Sequence, residues 1–192
     1  MFYYVIQVAT GNESDFINDL KRLEPELSKN YSFIYLTREL TIRRQGKWRK
    51  ETLPLFASYI FVEAAGEIPA LAVQKLKKIP GFYHFLNSNV DIVPLSGSDL
   101  SILQHFMGIG SKIGASLVKF DENDRIVVIE GPLKGLEGNI IKVDRRKQRA
   151  KIRIDLKGFT HTMIQSAKVE EVEINEKSAL YIADATGNKP YI

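Results

Sequence analysis

The stretch VIEGPLKGLEGNIIKV, residues 128–143, places Gly131, Pro132, Gly135 and Gly138 between two apolar runs. A phosphate-binding P-loop needs Gly-x-x-x-x-Gly-Lys-Ser/Thr, but Asn and Ile follow Gly138 here. The next run has strand character, so no helix N-terminus faces the loop. The glycines therefore predict tight turns in a small β-structure: Gly135 is placed where a Cβ would obstruct a bend, and Gly138 opens the next strand.

Side chains after residue 118 alternate between apolar and polar with a period of two. Short runs of this kind, separated by turn residues, are typical of a small antiparallel barrel. The predicted strands are RIVVIE, GNIIKV, RAKIRID, THTMIQ and KVEEVEI. We therefore predict a barrel domain over residues 118–175 and a tail over 176–192. The glycine-rich residues 108–117 lack the spacing of a dinucleotide fingerprint, and we interpret them as a linker that favours independent domains.

The first 107 residues mix strand and helix patterns, which predicts an antiparallel sheet with flanking helices. A β-rich run, FYYVIQV, precedes an amphipathic helix with apolar residues at helical spacing, among them Phe16 and Leu20. SFIYLTRELTIRR and RKETLPLFASYIFVEA are predicted to form a long hairpin around the turn QGKW, with a basic tip. Two more helices are predicted in IPALAVQKLKKIPGF and SGSDLSILQHFM. The predicted fold class is α+β, with a small C-terminal β-barrel.

The composition argues against several classes of function. The chain has no cysteine, which excludes disulfides, thiol catalysis and thiolate metal sites and fits a reducing cytoplasm. No apolar run reaches about 18 residues, and the N-terminus lacks the features of a signal peptide. His84, His105 and His161 lack the close spacing of metal ligands. We predict a cytoplasmic protein that is not an enzyme and uses no metal or cofactor.

A basic cluster in the second half indicates a nucleic-acid partner. The net charge is only +4, but Asp144 is the one acidic residue between positions 142 and 153. If residues 148–155 form a strand, Ala150, Ile152 and Ile154 point inward and the intervening basic residues point outward. The predicted RNA-binding residues are Lys134, Lys142, Arg145, Arg146, Lys147, Arg149, Lys151 and Arg153.

Other residues are weaker candidates for the same RNA surface. Lys112 and Lys119 approach it from the linker side, and Phe159, His161 and Lys168 lie at its periphery. The alternative is a charged face that only contacts solvent, because charged faces usually have no partner.

Four segments together resemble the NusG family of transcription elongation factors. Residues 128–143 resemble the KOW motif: an apolar strand, Gly-Pro-x-x-Gly-x-x-Gly, and a second apolar strand. FYYVIQVATGNE with its helix, LPLFASYIFVE and LKKIPGFYHFL resemble the opening, the defining strand and the second-helix exit of the family's N-terminal domain. The resemblance covers about residues 1–173, in the family's order.

The resemblance implies a fold and partners. The N-terminal domain is expected to bind the clamp helices of RNA polymerase, with Phe56 and Tyr59 in the contact surface. Ala57-Ser58 stands where the family commonly has Pro-Gly. The loop that carries Phe-Gly-Arg in the family is replaced by residues 156–158 followed by Phe159. With the basic hairpin, this departure resembles the LoaP type, a specialised antiterminator that binds a hairpin in the nascent leader RNA.

Two other functions stay open at this point. One is a housekeeping elongation factor of the NusG type, whose barrel binds a ribosomal protein or the termination factor Rho. The other is a ribosomal or translation-associated protein, since KOW barrels also occur there; the N-terminal resemblance argues against it. In each case the expected partners are macromolecules, with no membrane, and the protein is expected to be a monomer.

Overall fold

A computed structural model describes residues 1–169 except 87, 124, 147, 148, 157 and 158, and it describes only the backbone of residues 41, 48, 155, 156 and 159–169. Within this part of the chain, helices and strands build three sheets, so the predicted α+β class is confirmed. The predicted tail, the end of the barrel domain and Lys147 lie outside the described residues.

The first sheet has the strand order β2-β5-β1-β6 and is covered on both faces. Alternate residues of β1, among them Tyr4 and Ile6, pack in one core with Phe16 and Leu20 of the first helix. Val5 faces the other side and belongs to a second core. The elements of this region are β1 (Phe2–Val8), α1 (Glu13–Leu23), α2 (Pro25–Asn30), β2 (Ser32–Ile34), β5 (Tyr59–Ala64), α3 (Ala70–Leu76) and β6 (Phe82–Phe85).

The predicted long hairpin is shorter than expected. β3 (Thr37–Arg44) and β4 (Lys47–Pro54) pair around the turn at Gln45 and Gly46, which both have positive φ, as a two-residue hairpin turn requires. The two predicted strands were too long, because each is interrupted and its outer part, β2 or β5, joins the first sheet. β4 ends at Pro54 on the edge of its sheet, and the Leu55 N–H just beyond it donates a hydrogen bond of 2.8 Å to the carbonyl oxygen of Leu36.

Residues 108–117 are more ordered than the predicted linker. Helix α4 (Gly97–Ile109) runs into this segment and ends at Gly110, which has a φ of 129°. Strand β7 (Lys112–Ile113) then pairs in parallel with Thr37 and Arg38 of β3. The segment thus adds an edge strand to the hairpin, which the glycine content did not indicate.

The second half forms a five-stranded sheet of order β10-β11-β12-β8-β9. The β12–β8 pairing is parallel, unlike the antiparallel arrangement predicted for the whole barrel. The strands are β8 (Ser116–Phe120), β9 (Ile126–Glu130), β10 (Ile140–Asp144), β11 (Arg149–Leu156) and β12 (Phe159–Val169), and a 3-10 turn (Glu137–Asn139) precedes β10.

Gly131 is the crowded position of the glycine-rich loop. A Cβ at this residue would lie 2.7 Å from Ser116 Cα, and the φ of 98° already disfavours any other residue. The buried Ser116 Oγ accepts a hydrogen bond of 2.9 Å from Leu133 N, which fixes the loop against β8. Gly135 has a φ of 83°, so the predicted bend there does disfavour a side chain, although nothing lies within 4 Å of a Cβ at Gly135 or Gly138. Gly138 belongs to the 3-10 turn before the strand.

The two halves share a hydrophobic core, unlike the independent domains that the glycine-rich segment favoured. Phe56 and Phe106 from the first half lie in one buried cluster with Leu133 and Leu136 from the second. His105 Nε2 donates a hydrogen bond of 2.8 Å to the carbonyl oxygen of Pro132, which also joins the halves. Apolar residues of α4 and of the glycine-rich loop are buried in the same cluster, and this is why the two halves pack together.

Candidate nucleic-acid and partner interfaces

Strand β11 separates apolar from basic side chains by simple alternation. Ala150, Ile152 and Ile154 are completely buried. Lys151 and Arg153, at the intervening positions, are exposed. Because successive side chains of a strand point to opposite faces, the buried set fixes the direction of the basic set.

Strand β10 adds a second exposed lysine beside this row. Lys142 lies directly opposite Lys151 in the antiparallel register, so both side chains are on the same face of the sheet. Two like charges placed opposite each other destabilise a strand pair, and a bound polyanion would relieve their repulsion. The pair therefore marks a face of the barrel suited to phosphate groups.

The turn after β10 carries two exposed arginines. The guanidinium carbon of Arg145 lies 3.6 Å from the centroid of the Phe120 ring, a cation–π contact that orients this side chain. Arg146 follows it in the turn, and Lys134 is exposed in the glycine-rich loop. The side chains of Phe159, His161 and Lys168 are outside the described part of the chain.

Two basic residues that were predicted to belong to the RNA surface, Lys112 and Arg149, lie apart from this exposed face. Lys112 Nζ is 2.8 Å from Glu39 Oε2, and Lys50 Nζ is 3.0 Å from Glu39 Oε1, so Lys112 belongs to the β3–β4 hairpin. Arg149 is only half-exposed, although it shares the alternation of Lys151 and Arg153. Arg149 pairs with Ser166 of β12, and β12 contacts β3 of the first half.

Arg38 of β3 faces Arg149 across that contact. Burial lowers the pKa of the Arg38 guanidinium, and the neighbouring charge of Arg149 lowers it further. The Arg38 Nε and Nη1 atoms are buried and have no hydrogen-bond partner among the described residues. Sequence reasoning missed Arg38, because a single arginine in a strand gives no sign of the surface that will cover it.

The two residues expected to contact polymerase have different environments. Phe56 is only 2% exposed and packs edge-to-face on Phe61 and Phe106, with ring centroids 5.3 Å and 5.9 Å apart. Tyr59 is partly buried, which raises the pKa of its hydroxyl. Phe56 is therefore held by aromatic neighbours of the first half, within the core that the two halves share.

The turn between these aromatic residues depends on a buried carboxylate. Ser58 has a φ of 72°, a conformation that favours glycine. Its backbone N–H donates a hydrogen bond of 2.7 Å to Oε1 of Glu13, a carboxylate that is 1% exposed, and its hydroxyl lies 2.6 Å from that of Thr10. Glu13 is the first residue of α1, and no pattern in the sequence indicates this role.

The described residues contain no group of three or more His, Cys, Asp or Glu residues placed to hold a metal ion. None of their helices is long and apolar enough to cross a membrane.

Known proteins resemble the chain along most of its length. A family model for the transcription termination factor NusG matches residues 1–104, and a KOW-motif model matches residues 122–155. The transcription termination/antitermination protein NusG of Thermus thermophilus is 23% identical over 166 residues, covering 81% of this chain and 90% of that protein. The transcription termination/antitermination protein NusG of Rickettsia felis is 22% identical over 159 residues, which cover 81% of this chain and 82% of that protein.

One solved structure, described as "Domain interaction in Thermotoga maritima NusG", is 21% identical in sequence. It covers 85% of this chain and 92% of its own, with a TM-score of 0.48. The NusG model alone spans more than half of the 192 residues, and the KOW motif follows it in the predicted place. The chain therefore belongs to the NusG family.

Proposed function

We propose that this protein regulates transcription elongation and antitermination, in the manner of the LoaP type. Residues 1–107 bind the clamp helices of RNA polymerase, residues 108–117 connect the domains, and the barrel of residues 118–175 binds a hairpin in the nascent leader RNA. Binding both partners through one chain raises the local concentration of each for the other. No covalent step is required.

The observation that carries the RNA proposal is the exposed basic face of β10 and β11. Lys142 and Lys151 are cross-strand neighbours, Arg153 follows Lys151 on the same face, and Arg145 and Arg146 extend the charge into the turn. Lysine and arginine side chains bind phosphates, and arginine also reaches base edges in loops and bulges. The face therefore suits a structured RNA whose backbone gives affinity and whose loop gives specificity.

The polymerase proposal rests on the family and on the aromatic turn. Phe56 and Tyr59 lie on either side of the strained Ser58 turn, and buried aromatic residues are common anchors of interfaces. Because Phe56 is buried in the core that the two halves share, docking through this residue requires its ring to leave that core.

The RNA-binding test compares two triple variants of the full chain. Crosslinking to nascent transcripts, followed by sequencing, supplies the leader hairpin. Lys142→Ala, Lys151→Ala and Arg153→Ala together should weaken its binding by roughly tenfold or more and reduce the salt dependence, because fewer counterions are released. The control variant replaces three exposed lysines of the first half, Lys29, Lys77 and Lys78, with alanine. Equal affinity and equal salt slope for both variants in calorimetric titrations would refute the barrel as the RNA site.

A second candidate function is supported by apolar exposure on the barrel. Ile141 of β10 is 47% exposed and Val127 of β9 is 37% exposed. These residues suit a protein partner, as in a housekeeping factor whose barrel binds a ribosomal protein or Rho. Recovery of such a partner from lysate that resists RNase treatment, and is lost in Ile141→Ser, would favour this function.

A further inference from the structure

The turn between β10 and β11 reaches the end of β8, although β11 and β12 separate β10 from β8 in the strand order of the sheet. Arg145, the first residue after β10, holds its guanidinium carbon 3.6 Å from the centroid of the Phe120 ring. Phe120 is the last residue of β8 and lies opposite Ile126 of β9. The curvature of the sheet thus brings an arginine and an aromatic ring together at one end of the barrel.

This contact presents a planar cation to solvent. Arg145 is exposed and Phe120 is half-buried, so the guanidinium lies on the outer side of the ring. At a distance of 3.6 Å the guanidinium lies over the ring face, where the quadrupole of the ring attracts the cation. The ring therefore holds the long arginine side chain in one place. Arginine planes and aromatic rings are the surfaces on which unpaired RNA bases stack.

A shallow depression lies beside the pair and has room for a base. Its volume is about 530 Å³, and it is lined by residues 119–123, which include Phe120 itself. Sites for small ligands have volumes of roughly 300–1,000 Å³. The chemistry of the residues around the depression then decides which base fits.

The two carboxylates of the depression have different roles. Asp121 Oδ1 accepts hydrogen bonds from the backbone N–H groups of Asn123 (2.9 Å) and Arg125 (2.8 Å), which fixes the turn after β8. Glu122 is exposed. An ionised carboxylate only accepts hydrogen bonds, so it suits a base edge that carries donors. Guanine has N1–H and N2–H side by side, which match the two oxygens of one carboxylate, whereas adenine and cytosine have a ring acceptor beside their amino group.

We propose that the Phe120–Arg145 pair binds one unpaired guanine of the RNA, which stacks on the guanidinium plane and donates hydrogen bonds from its Watson–Crick edge to Glu122. Lys119, which is exposed in the same depression, binds the phosphate of that nucleotide. Phe120 is a positioning residue, because it holds the plane on which the base lies. This site rests on the proposed function: the basic face of β10 and β11 binds the RNA backbone, and the Phe120–Arg145 pair recognises a base.

The first experiment uses synthetic RNA hairpins that share one stem and differ at one position in a loop of uridines. That position carries guanosine, inosine, adenosine or uridine. The full chain should bind the guanosine hairpin about fivefold or more tighter than the uridine hairpin, because stacking and two hydrogen bonds add to the backbone contacts. Inosine keeps N1–H but lacks the N2 amino group, and adenosine lacks both donors, so their hairpins should bind less tightly in that order.

The second experiment assigns the preference to the stacked pair. Arg145→Lys keeps the charge but has no plane, so the preference for guanosine should be lost while the salt dependence stays unchanged. Phe120→Leu should lower the preference, and Phe120→Trp, with the ring that attracts cations best, should keep it. The matched control is Arg125→Lys, in an exposed arginine just before β9, which should keep the full preference.

A third variant separates hydrogen bonding from stacking. In Glu122→Ala the guanosine, inosine and adenosine hairpins should bind with equal affinity, because the acceptor is gone and all three purines still stack. Removal of a negative charge strengthens the binding of every hairpin, so the ratio between hairpins is the readout. Glu130→Ala, which removes an exposed carboxylate of β9, should keep the ranking of the four hairpins.

The outcomes separate this inference from the proposed function. Equal, salt-dependent affinity for all four hairpins would overturn the guanine site and leave RNA binding by the basic face in place. A guanosine preference that survives in both Arg145→Lys and Phe120→Leu would also overturn the site, because another surface would then read the base. Failure of every hairpin to bind would remove both the site and the RNA function.

Discussion

Ser58 has a backbone conformation that residues with a Cβ disfavour, and its neighbours hold it there. Its φ of 72° is stabilised by the hydrogen bond from its N–H to Glu13 and by the hydroxyl contact with Thr10. A positive φ in a residue with a Cβ costs about 1 kcal/mol or more, which the surrounding structure must offset.

Ser58→Gly should therefore increase the stability of the protein. The substitution removes the strain and keeps the backbone hydrogen bond to Glu13, while it loses one exposed hydroxyl contact and adds freedom to the unfolded chain. We expect a net gain of about 0.5 kcal/mol in the free energy of unfolding, measured by urea denaturation. The control, Ser101→Gly in helix α4, has no strain to relieve and should lose about 0.5 kcal/mol. Equal losses in both variants would contradict the strain argument.

At the scale of elements, one carboxylate adds ion pairs to the backbone pairing between β7 and the hairpin. Glu39 of β3 pairs with Lys112 of β7 and with Lys50 of β4. The hydrogen bonds from Lys112 and Lys50 hold the pKa of Glu39 below its ordinary value of 4.5. Because the folded-state pKa is depressed, the stabilisation is present above pH 4.5 and is lost as the pH falls through the folded-state pKa.

Glu39→Gln should consequently lower stability in a pH-dependent way. The variant should be less stable than the wild type at pH 7, and the difference should shrink as the pH falls below 4.5 and the wild-type carboxylate is protonated. Denaturant unfolding at several pH values gives the two curves. Glu26→Gln, which removes an exposed helical pair with Lys29, is the control and should show a smaller difference. A difference between Glu39→Gln and the wild type that does not vary with pH would contradict the ion-pair interpretation.

The sequence predicted those elements whose pattern is local. Alternation correctly placed Ala150, Ile152 and Ile154 inside the barrel, and the turn predicted in QGKW is found at Gln45 and Gly46. The sequence did not predict the elements whose formation depends on contacts between distant segments. β7 is two residues long, too short for any period to be visible, and its pairing depends on β3.

The candidate sites were predictable to a similar extent. Exposure of Lys151 and Arg153 follows from the alternation of their own strand. The burial of Phe56 and of Arg149 does not, because an apolar or a long basic side chain can face either solvent or another part of the chain. The burial of Arg38 beside Arg149 depends on how the two halves pack, which the residues around Arg38 in the sequence do not show.

At the scale of the whole molecule, the shared core predicts cooperative unfolding. Leu133 is fully buried and lies in one cluster with Phe56 and Phe106. Leu133→Ala should cost about 2–5 kcal/mol, because a cavity forms where the halves meet. In hydrogen exchange, amides of β1 and β5 should lose protection along with those of β11. Leu76→Ala, on the opposite face of the first sheet, is the matched core variant. Loss of protection in β11 alone would show that the halves unfold separately.

The short stretch between β7 and β8 limits how the barrel can move. Only Gly114 and Ala115 lie between Ile113, which is paired with the hairpin, and Ser116, which begins the barrel. Fully extended, two residues reach about 7 Å. With so short a connection, the barrel can rotate about Gly114, but it cannot move far from the hairpin while β7 stays paired with β3. It therefore remains at high local concentration beside the hairpin.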